Sequence, residues 1–153
     1  MLPAFANRAP PKVPDYTEGT WTPIFFGSGT AGTFTYTIQV GRYTRIGNLC
    51  FIRGHIAISA IAVAPTGDVY IRGLPLKSIN LTNAHSAIEF GLISNFNYTN
   101  TAFQLTGRID PNNIQIVMSE SFDNVVKVDV PAANFTNAAC ELIFAGHYQI
   151  SGA

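Results

Sequence analysis

The chain has 153 residues, and nine lysine and arginine residues balance nine aspartate and glutamate residues, so its formal net charge is zero. This balance excludes the clustered positive charge of nucleic-acid-binding proteins and the polybasic patches of membrane-surface proteins. Charged residues make up only 12% of the sequence, about half of the roughly 25% that is usual for globular proteins. Low charge near neutrality favours association between copies of the chain.

The sequence also lacks the marks of exported, membrane-spanning or metal-binding proteins. It has no run of 18 apolar residues and no apolar segment of signal-peptide type near its start, so we expect neither membrane insertion nor classical export. Cys50 and Cys140 have no second cysteine or histidine at metal-ligand spacing. We therefore expect two buried, inert thiols, and we expect no metal and no cofactor.

The first residues differ in character from the rest of the chain. Residues 1–15 contain four prolines, which disfavour both a helix and a central strand and predict an extended arm or linker. Residues 16–153 are expected to form a single domain. Within it, Pro23 precedes the short apolar run 24–26 and predicts an edge strand there, because proline cannot donate a ladder hydrogen bond.

The longest strand signals follow. Residues 33–40 alternate Phe, Tyr, Ile and Val with polar residues, which predicts a half-exposed strand that Gly41 interrupts before residues 42–46 resume it. Residues 49–64 form the most apolar ribbon, with Ile52, Ile56 and Ile58 on one face, and predict a central strand. The alternation stops after Ser59, so we expect both faces to be covered there, either by the core or by another subunit.

Shorter strands are predicted at regular spacing through the second half. They span residues 69–71, 86–96, 103–109, 114–118, 125–130 and 139–151. Glycine, proline and asparagine separate them, and no segment shows a helical period with caps. This pattern predicts an all-β fold, most simply an antiparallel β-sandwich of the jelly-roll kind.

Two spaced motifs and a third short one lie in the first half. The sequence EGTWTP ends at Pro23, and YTRIGN begins at Tyr43, about two dozen residues after the start of the first motif. The third motif, GLP, ends at Pro75. In this order, over residues 15–75, they resemble a C-terminal module of bacteriophage tailspikes and tail fibres. The residues that carry the resemblance are Trp21, Pro23, Tyr43, Arg45, Gly47, Asn48, Gly73 and Pro75.

The resemblance implies a homotrimeric β-sandwich at the tip of a virion tail appendage, made in the cytoplasm of the bacterial host. Such a module serves trimer assembly, host-surface binding, or both. The partners it implies are further copies of the chain and a bacterial surface polysaccharide, with no nucleic acid and no inserted membrane segment.

Two polar loops are the candidate ligand sites. The first contains Asn95, Asn97, Tyr98 and Asn100, whose amides and ring suit sugar hydroxyls and a sugar face, and the second contains Asp123 and Asn124. The alternative is that these are turn-forming residues without a ligand. The single tryptophan, Trp21, is expected to pack in the core. The arginines Arg42, Arg45, Arg53 and Arg72 are expected to pair with acids of the same or a neighbouring chain, although an anionic sugar would also suit them.

Carboxylates spread along the strands raise a hydrolytic alternative. A pair of carboxyl groups about 5 to 9 Å apart can hydrolyse a glycosidic bond. The candidate acids are Glu89, Asp110, Glu120, Asp123, Asp129 and Glu141. No β-helix repeat and no nucleophile motif accompanies them. We expect a non-enzymatic protein that assembles and binds polysaccharide, with a ligand-free structural clamp and a polysaccharide-degrading enzyme as the alternatives.

Overall fold

The computed structural model describes residues 15–99, 101–136 and 138–151. The predicted arm up to residue 14 and the candidate ligand residue Asn100 lie outside the described residues. The strands are β1 (Tyr16–Trp21), β2 (Ile24–Gly27), β3 (Thr33–Ile46), β4 (Leu49–Val63), β5 (Val69–Arg72), β6 (Ser86–Ser94), β7 (Gln104–Ile109), β8 (Gln115–Ser121), β9 (Val128–Asp129) and β10 (Glu141–Gln149). A short 3₁₀ turn, Ala132–Asn134, lies between β9 and β10.

The ten strands form one continuous antiparallel sheet, which confirms the all-β, antiparallel prediction. Their order is β1-β3-β4-β10-β6-β7-β8-β5-β2, and β9 pairs with β8. Among the described strands, β2 pairs with β5 alone and ends the sheet, which confirms the predicted edge strand after Pro23. In the described part of the chain, no helix is long and apolar enough to span a bilayer.

The pair β3–β4 is the longest ladder of the sheet. Contrary to the prediction, β3 runs through Gly41 without interruption. The indole of Trp21 lies so close to this glycine that a Cβ there would come within 2.6 Å of the ring. Gly41 therefore serves close packing rather than strand termination, because any side chain would displace the indole.

Three register shifts occur in β3 between Thr33 and Ile38, opposite the end of β4. A bulge changes which residues face the core, so the strict alternation of β4 ends in this region. Ala57 is buried as well, although it is out of phase with the core-facing Ile56 and Ile58. This is the part of the ribbon where the sequence pattern stops alternating.

The core lies on one face of the curved sheet. Ile52, Ile56 and Ile58 of β4 point into it beside Leu142 and Phe144 of β10, as the alternation of residues 49–64 predicts. The sheet curves far enough for its two ends to share this core. The ring of Phe25 in β2 lies 5.7 Å from that of Phe34 in β3, and the Phe25 backbone N–H donates to the Tyr36 hydroxyl at 3.0 Å.

The strand predicted over residues 125–130 is much shorter than expected. Only Val128–Asp129 is extended and paired, whereas β8 continues to Ser121 instead of ending at residue 118. Val125 and Val126 are 67% and 81% exposed in the loop before β9. Val125 and Val126 were misleading because they lie in a loop beyond the core, whereas Val130 at the end of the run is buried in it.

Candidate functional site

Three loops meet at one end of the β7–β8 pair, and we call residues 95–103, 122–127 and 131–139, where described, the loop cluster. The backbone N–H of Phe103 donates to the carbonyl of Ser121 at 3.1 Å, which brings the first loop beside the second. The Asn97 amide donates to the hydroxyl of Thr136 at 2.5 Å, which joins the first loop to the third. Both candidate ligand loops are therefore neighbours in the fold.

A fully buried carboxylate, Glu120 of β8, anchors this cluster. One carboxylate oxygen accepts from the Thr99 backbone N–H at 2.9 Å and from the Asn134 amide at 2.8 Å, and the other accepts from the Thr99 hydroxyl at 2.5 Å. The sequence alone indicates Glu120 only as a possible catalytic acid. Its position in β8 could have indicated burial, because Glu120 lies on the same side of the strand as the buried Ile116 and Met118.

Two of the candidate ligand residues have a conformational reason for being asparagine. Asn95 and Asn124 have φ angles of 53° and 55°, in the left-handed region that asparagine tolerates better than most residues. The Asn95 amide also donates to the Ser94 hydroxyl and to the Ala139 carbonyl, both at 3.3 Å. Asp123 and Asn124 are exposed, and their side chains make no hydrogen bond to the described part of the chain.

Tyr98 forms the outer end of an aromatic stack. Its ring contacts Phe96 edge-on at 5.1 Å, and Phe96 in turn contacts the buried Phe135 at 5.7 Å. Partial burial, together with the nearby Glu120 carboxylate, raises the pKa of Tyr98. The phenol therefore stays neutral at physiological pH, and 36% of the residue remains exposed as a rigid aromatic surface.

The residues of the EGTWTP motif hold the first strands together. Trp21 is only 7% exposed, and its indole N–H donates to the Arg42 carbonyl at 3.3 Å while its ring contacts Phe144. The Pro23 carbonyl accepts from the Gln39 amide at 2.9 Å. A buried indole cannot stack on a sugar, so Trp21 occupies the packing position that was expected for it.

The later motif residues form turns and close contacts. The Arg45 side chain donates to the Gly47 carbonyl at 2.8 Å, and Gly47 has a φ of 61° in the turn between β3 and β4. Gly73 has a φ of 97° and lies against the backbone of residue 22. Of the remaining motif residues, Tyr43 covers Gly19 with its ring, and the Asn48 carbonyl accepts from the backbone N–H of Ile150. Pro75 is half-buried after β5.

Most acids considered for hydrolysis are engaged in internal contacts. Asp110 and Asp129 both bind Arg108, at 2.9 and 3.1 Å, and Glu141 lies 2.7 Å from the imidazole of His55. Partial burial alone would raise the pKa of Asp129. Hydrogen bonds from Arg108, Lys127 and Ser119, with the charge of Arg108, outweigh it and hold that pKa far below its ordinary value. Asp129 therefore cannot supply a proton near neutrality.

The opposite face of the sheet is open in a single chain. We call the outward side of β1, β3, β4, β10 and β6 the outer face. Its residues line a groove of about 1030 Å³. The imidazole ring of His147 and the phenyl ring of Phe51 lie 5.6 Å apart, centre to centre, in this groove. The exposed large apolar residues of the outer face are Tyr16, Val40, Ile46, Leu49, Phe51, Leu92 and Ile143.

No group of three or more metal-ligating side chains is arranged to hold a metal ion among residues 15–99, 101–136 and 138–151. His85 instead lies 2.9 Å from the Asp110 carboxylate, and His55 pairs with Glu141. Cys50 and Cys140 are buried and unpaired, as expected.

No protein-family model matches the chain, and no curated protein matches it. Among solved structures, it is similar to the crystal structure of Dettilon tailspike protein, with a TM-score of 0.70 and 17% sequence identity. The similarity covers 88% of this chain and 24% of that chain, so the chain spans about a quarter of the length of the tailspike protein. At this identity the likeness concerns the fold, and the chain has a tailspike-like fold.

Proposed function

We propose that the chain is a homotrimeric attachment domain of a phage tail appendage, which assembles with two further copies and binds a bacterial surface polysaccharide without hydrolysing it. The observation that carries the proposal is the tailspike-like fold. It agrees with the motif resemblance over residues 15–75. The protein would be made in the bacterial host cytoplasm and would function on the virion.

The trimer is supported by the amount of apolar surface that one chain leaves uncovered. Five strands about 4.8 Å apart and four rows of side chains about 6.7 Å apart give the outer face an area on the order of 600 Å². Seven large apolar residues are exposed on it. Groups of exposed apolar residues rimmed by polar ones commonly mark protein-interaction sites. We propose that each curved sheet closes as a jelly-roll-like sandwich and covers its outer face with other copies.

Polysaccharide attachment is assigned to the loop cluster. Asn97, Asp123 and Asn124 offer donors and acceptors for sugar hydroxyls, and Tyr98 offers an exposed ring beside them. The buried Glu120 fixes this loop through Thr99. The loop therefore loses little conformational entropy when a ligand binds. Three copies of a weak site on one trimer would raise the overall affinity by about 10² to 10⁴.

The absence of hydrolysis is proposed from the positions of the carboxylates. Glu120 is fully buried behind the loop cluster, and Asp110 and Asp129 neutralise Arg108. Glu18 and Glu89 line the groove from strands β1 and β6, which are four strand steps apart in the sheet. Four steps span roughly 19 Å along the sheet, beyond the about 5 to 9.5 Å that separates glycosidase carboxylates.

The test uses purified chain on an array of bacterial capsular polysaccharides and lipopolysaccharides. We expect binding that falls about tenfold or more in Tyr98→Ala and Asn97→Ala, because each removes a proposed sugar contact. Lys77→Ala is the matched control, since Lys77 is exposed outside the loop cluster. Unchanged binding in both loop variants would contradict the assigned site.

The structural clamp is the second candidate, and a specific observation favours it. The left-handed φ angles of Asn95 and Asn124 explain those residues without any ligand. A trimer that binds nothing on the array would support the clamp. Release of reducing sugar ends from a bound polysaccharide would instead support an enzyme.

A further inference from the structure

We infer that the outer face is the surface through which the copies assemble, and that the Arg42–Arg53 pair of one copy binds Glu89 of the next. This inference rests on the proposed trimer and names the contact that would hold it. It draws on charge placement on the outer face, which the functional proposal does not use.

The arginine pair has no counter-charge among the described residues of its own chain. Arg42 and Arg53 are directly opposite in the β3–β4 ladder, and both are exposed on the outer face. Opposed side chains on neighbouring strands have Cβ atoms about 5 Å apart, so two like charges there are unfavourable unless an anion lies between or above them. Neither guanidinium forms an ion pair with an acid in the described part of the chain.

A free acid lies in the same row of side chains. Ala145 of β10 is opposite Arg53 on one side and opposite Glu89 of β6 on the other. Glu89 is exposed and makes no ion pair with the described residues. By contrast, the hydroxyl of Tyr16 donates to Glu18, and Glu141 binds His55, so these two acids of the outer face already have partners.

The row therefore carries positive charge towards β1 and negative charge at β6. A head-to-tail ring places one side of each copy against the other side of the next, which is the contact type of a cyclic trimer. In that arrangement the β6 side of one copy, with Glu89, meets the β3–β4 side of its neighbour. One row thus supplies both halves of the contact.

Exposed apolar side chains on both sides of the charged row favour a protein partner over a soluble ligand. Val40, Ile143 and Leu92 lie on one side, and Ile46 and Leu49 lie on the other. Covering these residues would exclude water from the arginine–glutamate contact and strengthen it.

The test measures the mass of the 153-residue chain by sedimentation equilibrium over a concentration series. We expect Arg42→Glu/Arg53→Glu, and separately Glu89→Arg, to raise the concentration at half-dissociation by about tenfold or more, because like charges then meet across the contact. Combining Arg53→Glu with Glu89→Arg should restore much of the loss. Lys77→Glu, which makes the same charge change outside the outer face, should leave the trimer intact.

The outcomes separate the two proposals. A monomeric wild type would refute the proposed trimer itself. A trimeric wild type whose reversed variants remain equally trimeric would overturn only the assignment of this face. Reversed variants that stay trimeric but lose binding to an acidic polysaccharide would show that the groove holds a ligand, which also overturns it. Circular dichroism of each variant, with an unchanged β-sheet signal, confirms that the chain has folded.

Discussion

The carboxylate of Glu120 accepts a hydrogen bond from the backbone N–H of Thr99 at 2.9 Å, although 21 residues separate them in the sequence. Glu120 belongs to a buried strand and Thr99 to an exposed loop. The Glu120 side chain thus attaches the loop that we propose as the polysaccharide site to a strand of the sheet, which restricts its motion. The relationship gives Glu120 a structural role that can be measured.

Replacing Glu120 with alanine should destabilise the protein by about 2 to 4 kcal/mol, because the Thr99 N–H and the Asn134 amide lose their acceptor. Urea unfolding at one fixed protein concentration measures this, since the stability of an oligomer depends on concentration. The exposed Asp123→Ala is the control and should change stability by no more than about 0.5 kcal/mol. Equal effects of the two variants would contradict the anchoring role.

Two glycines should differ in how much their substitution by alanine destabilises the protein. A Cβ on Gly54 would lie 2.3 Å from the ring of Phe144, whereas a Cβ on Gly91 would meet nothing within 4 Å. Gly54→Ala should therefore cost about 1 to 3 kcal/mol through overpacking, and Gly91→Ala should be nearly neutral. Thermal unfolding of both variants tests the packing of β4 against β10. A tolerated Gly54→Ala would show that the ring does not lie over this glycine.

The Asp129 carboxylate should make the protein sensitive to acid. Its pKa lies below the ordinary value of 3.8 because the Arg108, Lys127 and Ser119 contacts outweigh partial burial, which alone would raise it. A depressed pKa contributes stability that is present above about pH 4 and is lost as pH falls below that value. Asp129→Asn should therefore lower stability at pH 7 by about 1 to 2 kcal/mol.

The pH profile distinguishes this effect from a simple loss of packing. Between pH 4 and pH 2 the stability of Asp129→Asn should fall less steeply than that of wild type. Asp123→Asn, at an exposed position without such contacts, should follow the wild-type profile. Parallel profiles for wild type and Asp129→Asn would contradict the assigned ion-pair network.

Both thiols should be unreactive in the folded protein. Burial, with a smaller effect of the neighbouring Glu141 carboxylate, raises the pKa of Cys140 to about 12. At pH 8 only about one Cys140 in ten thousand is then a thiolate, the reactive form. Burial also raises the pKa of Cys50. Titration with Ellman's reagent should find no fast thiol in the native chain and two after denaturation. A rapidly reacting native thiol would refute the placement of at least one of the two residues in the core.

The strands with alternating apolar residues were predictable, because one-sided burial leaves a period of two in the sequence. The ribbon from Leu49 matches β4 within one residue, and its even-numbered residues from Cys50 to Ile58 are buried. Pro23 similarly indicated an edge strand. These features depend on the local chain alone.

The errors arose where a residue's role depends on a distant partner. Gly41 suggested a strand break, but its reason is the indole of Trp21, brought against it by the β1–β3 pairing. Val125 and Val126 suggested a strand because β-branched residues favour extended backbone, yet no neighbouring strand pairs with them in the described chain. Composition cannot show which segments the fold brings together.

The candidate site was only partly predictable for the same reason. The loop around Asn97 and Tyr98 was identified by its polar and aromatic residues, and the Phe103–Ser121 hydrogen bond joins it to the loop that holds Asp123 and Asn124. Nothing local indicated that Thr99 and Asn134 converge on Glu120. The Arg42–Arg53 opposition likewise required the register of β3 against β4.

The most direct test of the account is the mass of the wild-type chain in solution, measured by light scattering after size-exclusion chromatography at micromolar concentration. One chain has a mass of 16.5 kDa, so the account predicts a single species of about 50 kDa. A stable species at the mass of one chain would contradict the claim that the outer face is covered by further copies.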